Sequence, residues 1–478
     1  MYYDYQLLIR RVSSVLLSLS VLTTATVHSE DWPWFLGPRH DGTSAEENTF
    51  FDWPKAGPKL LWKQSVGTGY SAPSTLGDRV VVHHRQDEFE IISCRSTGDG
   101  SVIWEHKYES DFQDPYGYNN GPRCAPILTH EHCYTLGAEG MLCCTDMKTG
   151  DVIWKHILQE EFDLPDWFFG MGCSPILDGN RLIVLVGGQP NSGVVAFDKK
   201  TGKQLWAAVG KETWDGETDA HTGDAYEWTG SEKIISYSSP VIATIHKKRH
   251  LLCLMRQGLV SLDPESGKEN FRYWFRPRVN DSVNAARPVV VGDQIFLSAA
   301  YRQGSALLKV NEDGTSYEEV WRDKYNMLAH WSTPIHVDGF VYGFSGRHEN
   351  EGELRCIRLS DGKVMWETAG FTGDISKLGR DRETGDIVHK ETGEKVPFPF
   401  YGRGSLIRVG ERFIVLGERG TLAVVHVDAT EFKEDTRAAF DEIHYPAWAA
   451  PVLSNGRLYL RSEDWLLCLD LRDPSEAP

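Results

Sequence analysis

Eight copies of one unit run through the chain, and a repeat of this period constrains the fold more than any other feature. They read "SAPSTLGDRVVV", "CAPILTHEHCYTL", "CSPILDGNRLIVL", "SSPVIATIHKKRHLLCL", "ARPVVVGDQIFL", "STPIHVDGFVYGF", "GSLIRVGERFIVL" and "AAPVLSNGRLYL". Their anchors are Pro73, Pro126, Pro175, Pro240, Pro288, Pro334, Leu406 and Pro451. Most steps are about 45 to 53 residues, and two longer steps mark insertions at residues 207–235 and 371–400. Each copy gives a small residue and a Pro, a short apolar run, a turn at Gly or Asp, an alternating strand, a further strand and a Gly-containing turn. A Gly then stands four residues before an aromatic in five copies: Gly100/Trp104, Gly150/Trp154, Gly202/Trp206, Gly267/Phe271 and Gly362/Trp366. That turn needs positive φ, which Gly supplies without steric cost. The aromatic falls on a fourth strand, where a large flat side chain fills the wedge between twisted sheets.

Four strands per unit with aromatic packing between units predict an all-β fold, an eight-bladed β-propeller of four-stranded antiparallel blades. The 45 Gly and 22 Pro, with 16 Trp, 18 Tyr and 20 Phe, suit short strands and tight turns better than long helices. After Pro451 only three strand-like segments follow, ending at "WLLCLDL". The segment "KLLWKQS", residues 59–65, carries Trp62 at the docking position with no repeat before it. It is therefore expected to supply the missing strand of the last blade and close the ring, hiding edges that invite aggregation.

The turns "DMKTGDVIW" and "DKKTGKQLW" resemble the tryptophan-docking motif of the pyrroloquinoline-quinone (PQQ)-type propeller repeats. The resemblance runs from about Leu60 to Leu471. It implies the fold and not the cofactor: quinoprotein alcohol dehydrogenases carry this repeat, and so do BamB-type outer-membrane assembly lipoproteins, which bind no quinone. The opening "DWPWFLGPRHDGTSAE" is similar to the entry segment of secreted bacterial propellers.

Ahead of the propeller, Arg10 and Arg11 precede an uncharged run over residues 12–27, and Val27-His28-Ser29 offers a signal-peptidase pattern. The expected organisation is a signal peptide over 1–29, an entry segment over 30–58, the propeller over 59–471 and a tail over 472–478. The expected location is periplasmic or secreted. The apolar run is too short to favour a membrane span, and the absence of Cys before Cys94 argues against a lipid-attachment site. A formal charge of −18 opposes binding to phosphate backbones, so nucleic acid is not an expected partner. A monomer is expected.

The connections into the first strands open on one face around the axis, and there the sequence collects aromatic and polar groups. "GTGYSAP" brings Tyr70, and "YGYNNGPRCAP" brings Tyr118, Asn119, Asn120 and Arg123. "DWFFGMGCSP" brings Trp167 and Phe168, "IISYSSP" Tyr237, and "NDSVNAARP" Asn280, Asn284 and Arg287. "NMLAHWSTP" adds His330 and Trp331, "FYGRGSL" Tyr401 and Arg403, and "IHYPAWAAP" His444, Tyr445 and Trp448. Aromatics with a few directed polar groups form a ligand or peptide pocket; they also serve as a channel plug. Arg123, Arg287 and Arg403 near a shared axis need carboxylates, carbonyls or an anionic ligand to meet them.

The favoured reading is a non-catalytic module binding a protein, peptide or small molecule on this funnel face, with no cofactor. A PQQ-dependent alcohol or sugar dehydrogenase is the alternative, and a BamB-like envelope assembly scaffold a third. A dehydrogenase needs a calcium ion held by carboxylate and amide oxygens, a catalytic Asp and an aromatic floor. Asp281 with Asn280 or Asn284, and Trp331 as a stacking ring, are the residues nearest to that set. Cys143-Cys144 lies on a strand in register with Cys94, Cys253, Cys356 and Cys468, so the two thiols are expected on opposite faces in ordinary cores. Cys124 and Cys173 occupy matching positions on adjacent inner strands, where a disulfide is conceivable. The loop "DGETDAHTGDAYEW" is acidic at Asp215, Glu217, Asp219 and Asp224. Ala220 and Tyr226 stand where a calcium loop needs Gly and Glu, so a solvated loop is expected. His83-His84 alternates faces on a strand and is not expected to chelate.

Overall fold

Seven of the eight anchors are prolines because each one stands immediately before the first residue of an innermost strand, where the sheet edge asks for no N–H. Pro126, for example, leads into Ile127–Leu128, which is followed outward by His132–Leu136, Met141–Asp146 and Val152–Ile157, hydrogen-bonded in that order. The computed structural model describes residues 29–164, 169–188, 190–210, 236–277, 282–371, 373–384 and 386–473. It contains eight such antiparallel blades in a ring. Among the described residues no helix is long and apolar enough to cross a membrane.

The eighth blade is closed as expected. Lys59–Ser65 pairs antiparallel with Trp465–Asp470, outside Arg457–Arg461 and Val452–Ser454. The second long insertion also appears: within it Leu378–Arg380 pairs with Ile387–His389 as a separate, half-buried hairpin. The first insertion, with the acidic loop, lies almost wholly outside the described residues.

The core is distributed between the blades. Leu136, Leu142 and Cys144 of the second blade pack with Leu182, Val195 and Phe197 of the third, and equivalent clusters join the others. In five of the blades the docking Trp reaches over its neighbour and bonds a carbonyl there. The indole N–H of Trp62 donates to the Thr97 carbonyl (3.0 Å), Trp104 to Met147 (3.1 Å), Trp154 to Lys199 (3.1 Å), Trp321 to Leu359 (2.8 Å) and Trp366 to Asp428 (2.8 Å). The Gly of the motif is thus required twice, by its φ of about +70 to +80° and by the ring lying on it. A Cβ on Gly150 would stand 2.5 Å from Trp104, whose indole is held by its hydrogen bond. Gly150→Ala is expected to lower stability by about 2–3 kcal/mol, measured by chemical denaturation, from overpacking plus a left-handed backbone.

One regularity departs from simple alternation. In every blade the register between third and fourth strands slips by one residue. In the first three blades the extra residue is the aliphatic before the Trp, Ile103, Ile153 or Leu205, and it is exposed. The bulge turns the indole inward and pushes the aliphatic out. The seventh blade has Thr436 in the Trp register, and its hydroxyl bonds the carbonyl of Trp53, a buried residue of the entry segment.

That entry segment is part of the propeller. Trp32 exchanges hydrogen bonds with Thr75 of the first blade, and Pro33 and Trp34 bond Leu128 of the second. Residues 34–42 then turn tightly, with Trp34 stacked on His40 at 4.8 Å. On the far side the His40 carbonyl accepts from Arg287, and Thr43–Ser44 pairs parallel with Ser405–Val409 of the seventh blade. The segment therefore crosses the axis and plugs the central channel.

All nine cysteines are buried free thiols. Cys124 and Cys173 do not pair. Each donates to a carbonyl of the next connection, Met171 (3.5 Å) and Ser236 (2.6 Å). Cys143 and Cys144 face different interblade clusters, as strand alternation requires. His83 and His84 likewise diverge: His83 joins Tyr108 and Glu90 in a buried network, while His84 accepts from the Gly67 amide.

Candidate functional site

Above the plug, the connections of all eight blades surround a cavity of about 340 Å³. Phe35 and Leu36 of the plug reach into it, and every other lining residue belongs to a connection or the start of an inner strand. Of the residues expected to converge, Tyr70, Tyr118, Arg123, Tyr237, His330, Trp331, Arg403 and Trp448 do line it. They form a nearly continuous aromatic wall. Tyr237 meets Phe169 (5.6 Å), Phe169 meets Tyr118 (6.1 Å), Tyr118 and Tyr70 meet Trp448 (5.8 and 4.8 Å), and Trp448 meets Trp331 (5.0 Å). His330 continues from Trp331 to Tyr301.

The arginines of the wall are held. Arg123 donates to Asp114 (2.9 Å) and to the carbonyls of Gly121 and Asn119. Arg403 binds Glu418 through Nε and Nη2 (3.1 and 2.8 Å) and lies over Trp331 and Trp448, at 4.7 and 5.1 Å from the ring centroids. Glu418 also accepts from the Trp448 indole (3.0 Å), so one buried carboxylate orients both groups. Burial, with the Arg403 charge next, pushes the His330 imidazole down to about 3, and it is neutral at physiological pH. Its Nε2 shares a 3.2 Å hydrogen bond with the Tyr301 hydroxyl. Burial likewise raises the Tyr70 and Tyr237 phenols, which stay protonated.

Seven expected residues are placed elsewhere, each held by a nearer backbone or side-chain group. Asn119 bonds Thr68, Glu463 and the Gly121 amide. Asn120 bonds Gln113 and the Asp114 amide. Asn284 is buried and donates to the carbonyls of Met255, Arg256 and Phe275. Arg287 is buried against the carbonyls of Ser239, Pro240 and His40. His444 is exposed and paired with Asp464 at 2.9 Å. Tyr401 is also buried away from the cavity, bonded to Glu434, and Tyr445 lies outside the lining, packed against Trp448 at the rim. Trp167, Phe168, Asn280 and Asp281 lie outside the described residues.

Sequence reasoning missed Tyr301, Arg347, His348 and Glu418, which sit in connections between second and third strands. These open on the same face, so Tyr301, Arg347 and His348 reach the cavity from blades five and six, and Glu418 of blade seven holds Arg403 from behind. Even spacing of the repeats was a usable signal, since strand direction alternates and every second connection must emerge on one face. Phe35 and Leu36 carried no such signal.

With this geometry in view, residues 88–368, more than half of the chain, match the family described as outer membrane protein assembly factor BamB, built of PQQ-like repeats. The chain belongs to this PQQ-like propeller family. Among relatives, it is similar to the quinohemoprotein alcohol dehydrogenase ADH-IIG of Pseudomonas putida, 20% identical over 62% of this chain and 38% of that protein. The chain thus spans little more than a third of that relative's length. In structure it is similar to BamB of Moraxella catarrhalis (TM-score 0.53, 13% identity, 87% of this chain and 98% of that one). It is also similar to the quinohemoprotein alcohol dehydrogenase of Comamonas testosteroni (TM-score 0.60, 12% identity, 95% and 82%). At these identities the likeness is one of fold.

Because this PQQ-like propeller has dehydrogenase relatives, a calcium-held quinone is the group its cavity would have to fit. Calcium takes six to eight oxygen ligands, chiefly carboxylates and carbonyls. Asp114 and Glu418 are each ion-paired with an Arg, and among the described residues no group of three His, Cys, Asp or Glu side chains is set to hold a metal. The described residues do not fit such a group.

Proposed function

We propose that this PQQ-like propeller is a non-catalytic binding module, exported to the periplasm or beyond, that takes a ligand into the aromatic cavity of its funnel face. The observation that carries the reading is that Asp114, the one carboxylate among the described lining residues, is engaged by Arg123, and that Glu418, buried behind Arg403, is engaged by that arginine. A site so neutralised keeps aromatic walls and hydrogen-bonding edges for recognition and, among the described residues, leaves no unpaired lining carboxylate as base or metal ligand. The plug supports the same reading, since it gives the cavity a fixed floor on a rigid ring.

Gel filtration after incubation with equimolar PQQ and excess calcium tests this against the dehydrogenase alternative. The quinone is expected to elute apart from the protein, with no alcohol-dependent dye reduction. Stoichiometric retention with dye reduction would replace the binding module by an oxidoreductase. The envelope scaffold reading of the BamB relatives would gain if outer-membrane proteins co-purified while small ligands gave no heat of binding.

A further inference from the structure

We infer that the cavity selects an anion, specifically a carboxylate carried on a six-membered ring, and that Arg347 is the residue that receives it. The inference rests on the cavity being a ligand site, as proposed above. Arg123 and Arg403 are ion-paired, whereas no carboxylate among the described residues lies within ion-pair distance of the Arg347 guanidinium. It is half-buried in the cavity lining with its charge 4.5 Å from the Tyr301 ring centroid. An uncompensated guanidinium inside a concave, partly dry site is a standing demand for an anion, best met by the two oxygens of a carboxylate.

Beside it are polar atoms that also lack partners among the described residues. His330, bonded to Tyr301 through Nε2, leaves Nδ1 buried and unmatched, and the adjacent Trp331 leaves its indole N–H unmatched. Across the cavity the Tyr70 hydroxyl is in the same position. Buried polar groups are normally hydrogen-bonded, and these three atoms, though enclosed, belong to residues of the cavity lining, so the wall around Arg347 favours a ligand that carries oxygens. The aromatic wall supplies flat faces for a ring.

A cationic ligand is disfavoured by the same residues. Aromatic cages bind cations through the faces of their rings. Here the faces of Trp331 and Trp448 are already covered by Arg403, and that of Tyr301 by Arg347. The chain as a whole carries −18, so attraction of an anion is local to this pocket.

Two sources share the chemistry, a sugar acid and an aromatic acid, and calorimetric titration at neutral pH separates them. The probes are D-glucuronate with D-glucuronamide, and 2-naphthoate with 2-naphthamide; in each amide an NH2 group replaces one carboxylate oxygen and the charge is lost. One acid is expected to bind roughly tenfold to a hundredfold tighter than its amide, the range of a charge-assisted hydrogen-bond pair in a partly desolvated site. Which acid does so identifies the source. In Arg347→Gln that preference should vanish while the thermal melt stays unchanged. Equal binding of acid and amide to the natural protein would overturn the anion inference and leave the binding-module reading standing. Preference surviving in Arg347→Gln would overturn the assignment to Arg347. No heat from any probe would overturn both readings for small ring ligands.

Discussion

A chain lacking Lys59–Ser65 is expected to lose the single cooperative melt of the intact protein and to aggregate as its concentration rises. The strand completes the eighth blade by pairing with Trp465–Asp470, and Trp62 carries the eighth blade onto the first through its bond to Thr97 and its contact with Gly100. Without it the ladder of Trp465–Asp470 has an unpaired edge, and the wedge between the first and last blades has no filler. A ring differs from an open array because every blade has two neighbours, and one missing joint exposes two faces at once. Differential scanning calorimetry with light scattering reads both effects. The milder Trp62→Ala keeps the strand and is expected to cost about 3–5 kcal/mol, as for a large aromatic removed from a core. A melt unchanged by the deletion would mean that the ring is not closed by this strand.

The second large effect is expected at Arg287. Its guanidinium donates to Ser239 (3.2 Å), Pro240 (2.5 Å) and His40 (2.8 Å), tying the entrance of the fourth blade to the plug. Burial lowers its pKa to about 10, so it remains charged at neutral pH. Arg287→Ala would leave three buried carbonyls without donors, costing about 3–5 kcal/mol after relaxation. It would also free the far end of the plug, so trypsin should cut after Arg39 in the variant well before it cuts the natural protein. Arg287→Lys should recover little, because a single ammonium does not reproduce the planar fork. Resistance to trypsin equal to that of the natural protein would show that the plug is held by its other contacts alone.

Arg287 also shows where reading from sequence ran out. The anchors, the docking Trp–Gly pairs and the closing strand were all legible, because each depends on a backbone requirement that only a few residue types meet. Side-chain direction in the connections was not. Arg123 and Arg287 stand three and one residues before the second and fifth anchors, yet one lines the cavity and the other turns to buried carbonyls. In such short connections the nearest unsatisfied backbone group takes a polar side chain first. The same limit applies to Ile103 and Ile153, whose aliphatic character suggests burial. Only the bulge, a property of two strands together, places them outside. Arg347 lay in a connection between second and third strands, and nothing in its local sequence marks that loop as reaching the axis.

The plug has a consequence for traffic through the molecule. Many toroidal proteins are open at both ends, and a solute can enter one side and leave by the other. Here residues 31–44 bar the bore from the first and second blades to the seventh, and Phe35 and Leu36 form its stopper. The cavity is a cul-de-sac. Whatever enters must back out through the same mouth, past Tyr116 and Tyr118, which are about half exposed (48% and 51%). Residence time would then be governed by the rim and not by the floor, and changes at those two tyrosines would alter how fast an occupant escapes more than how it is oriented.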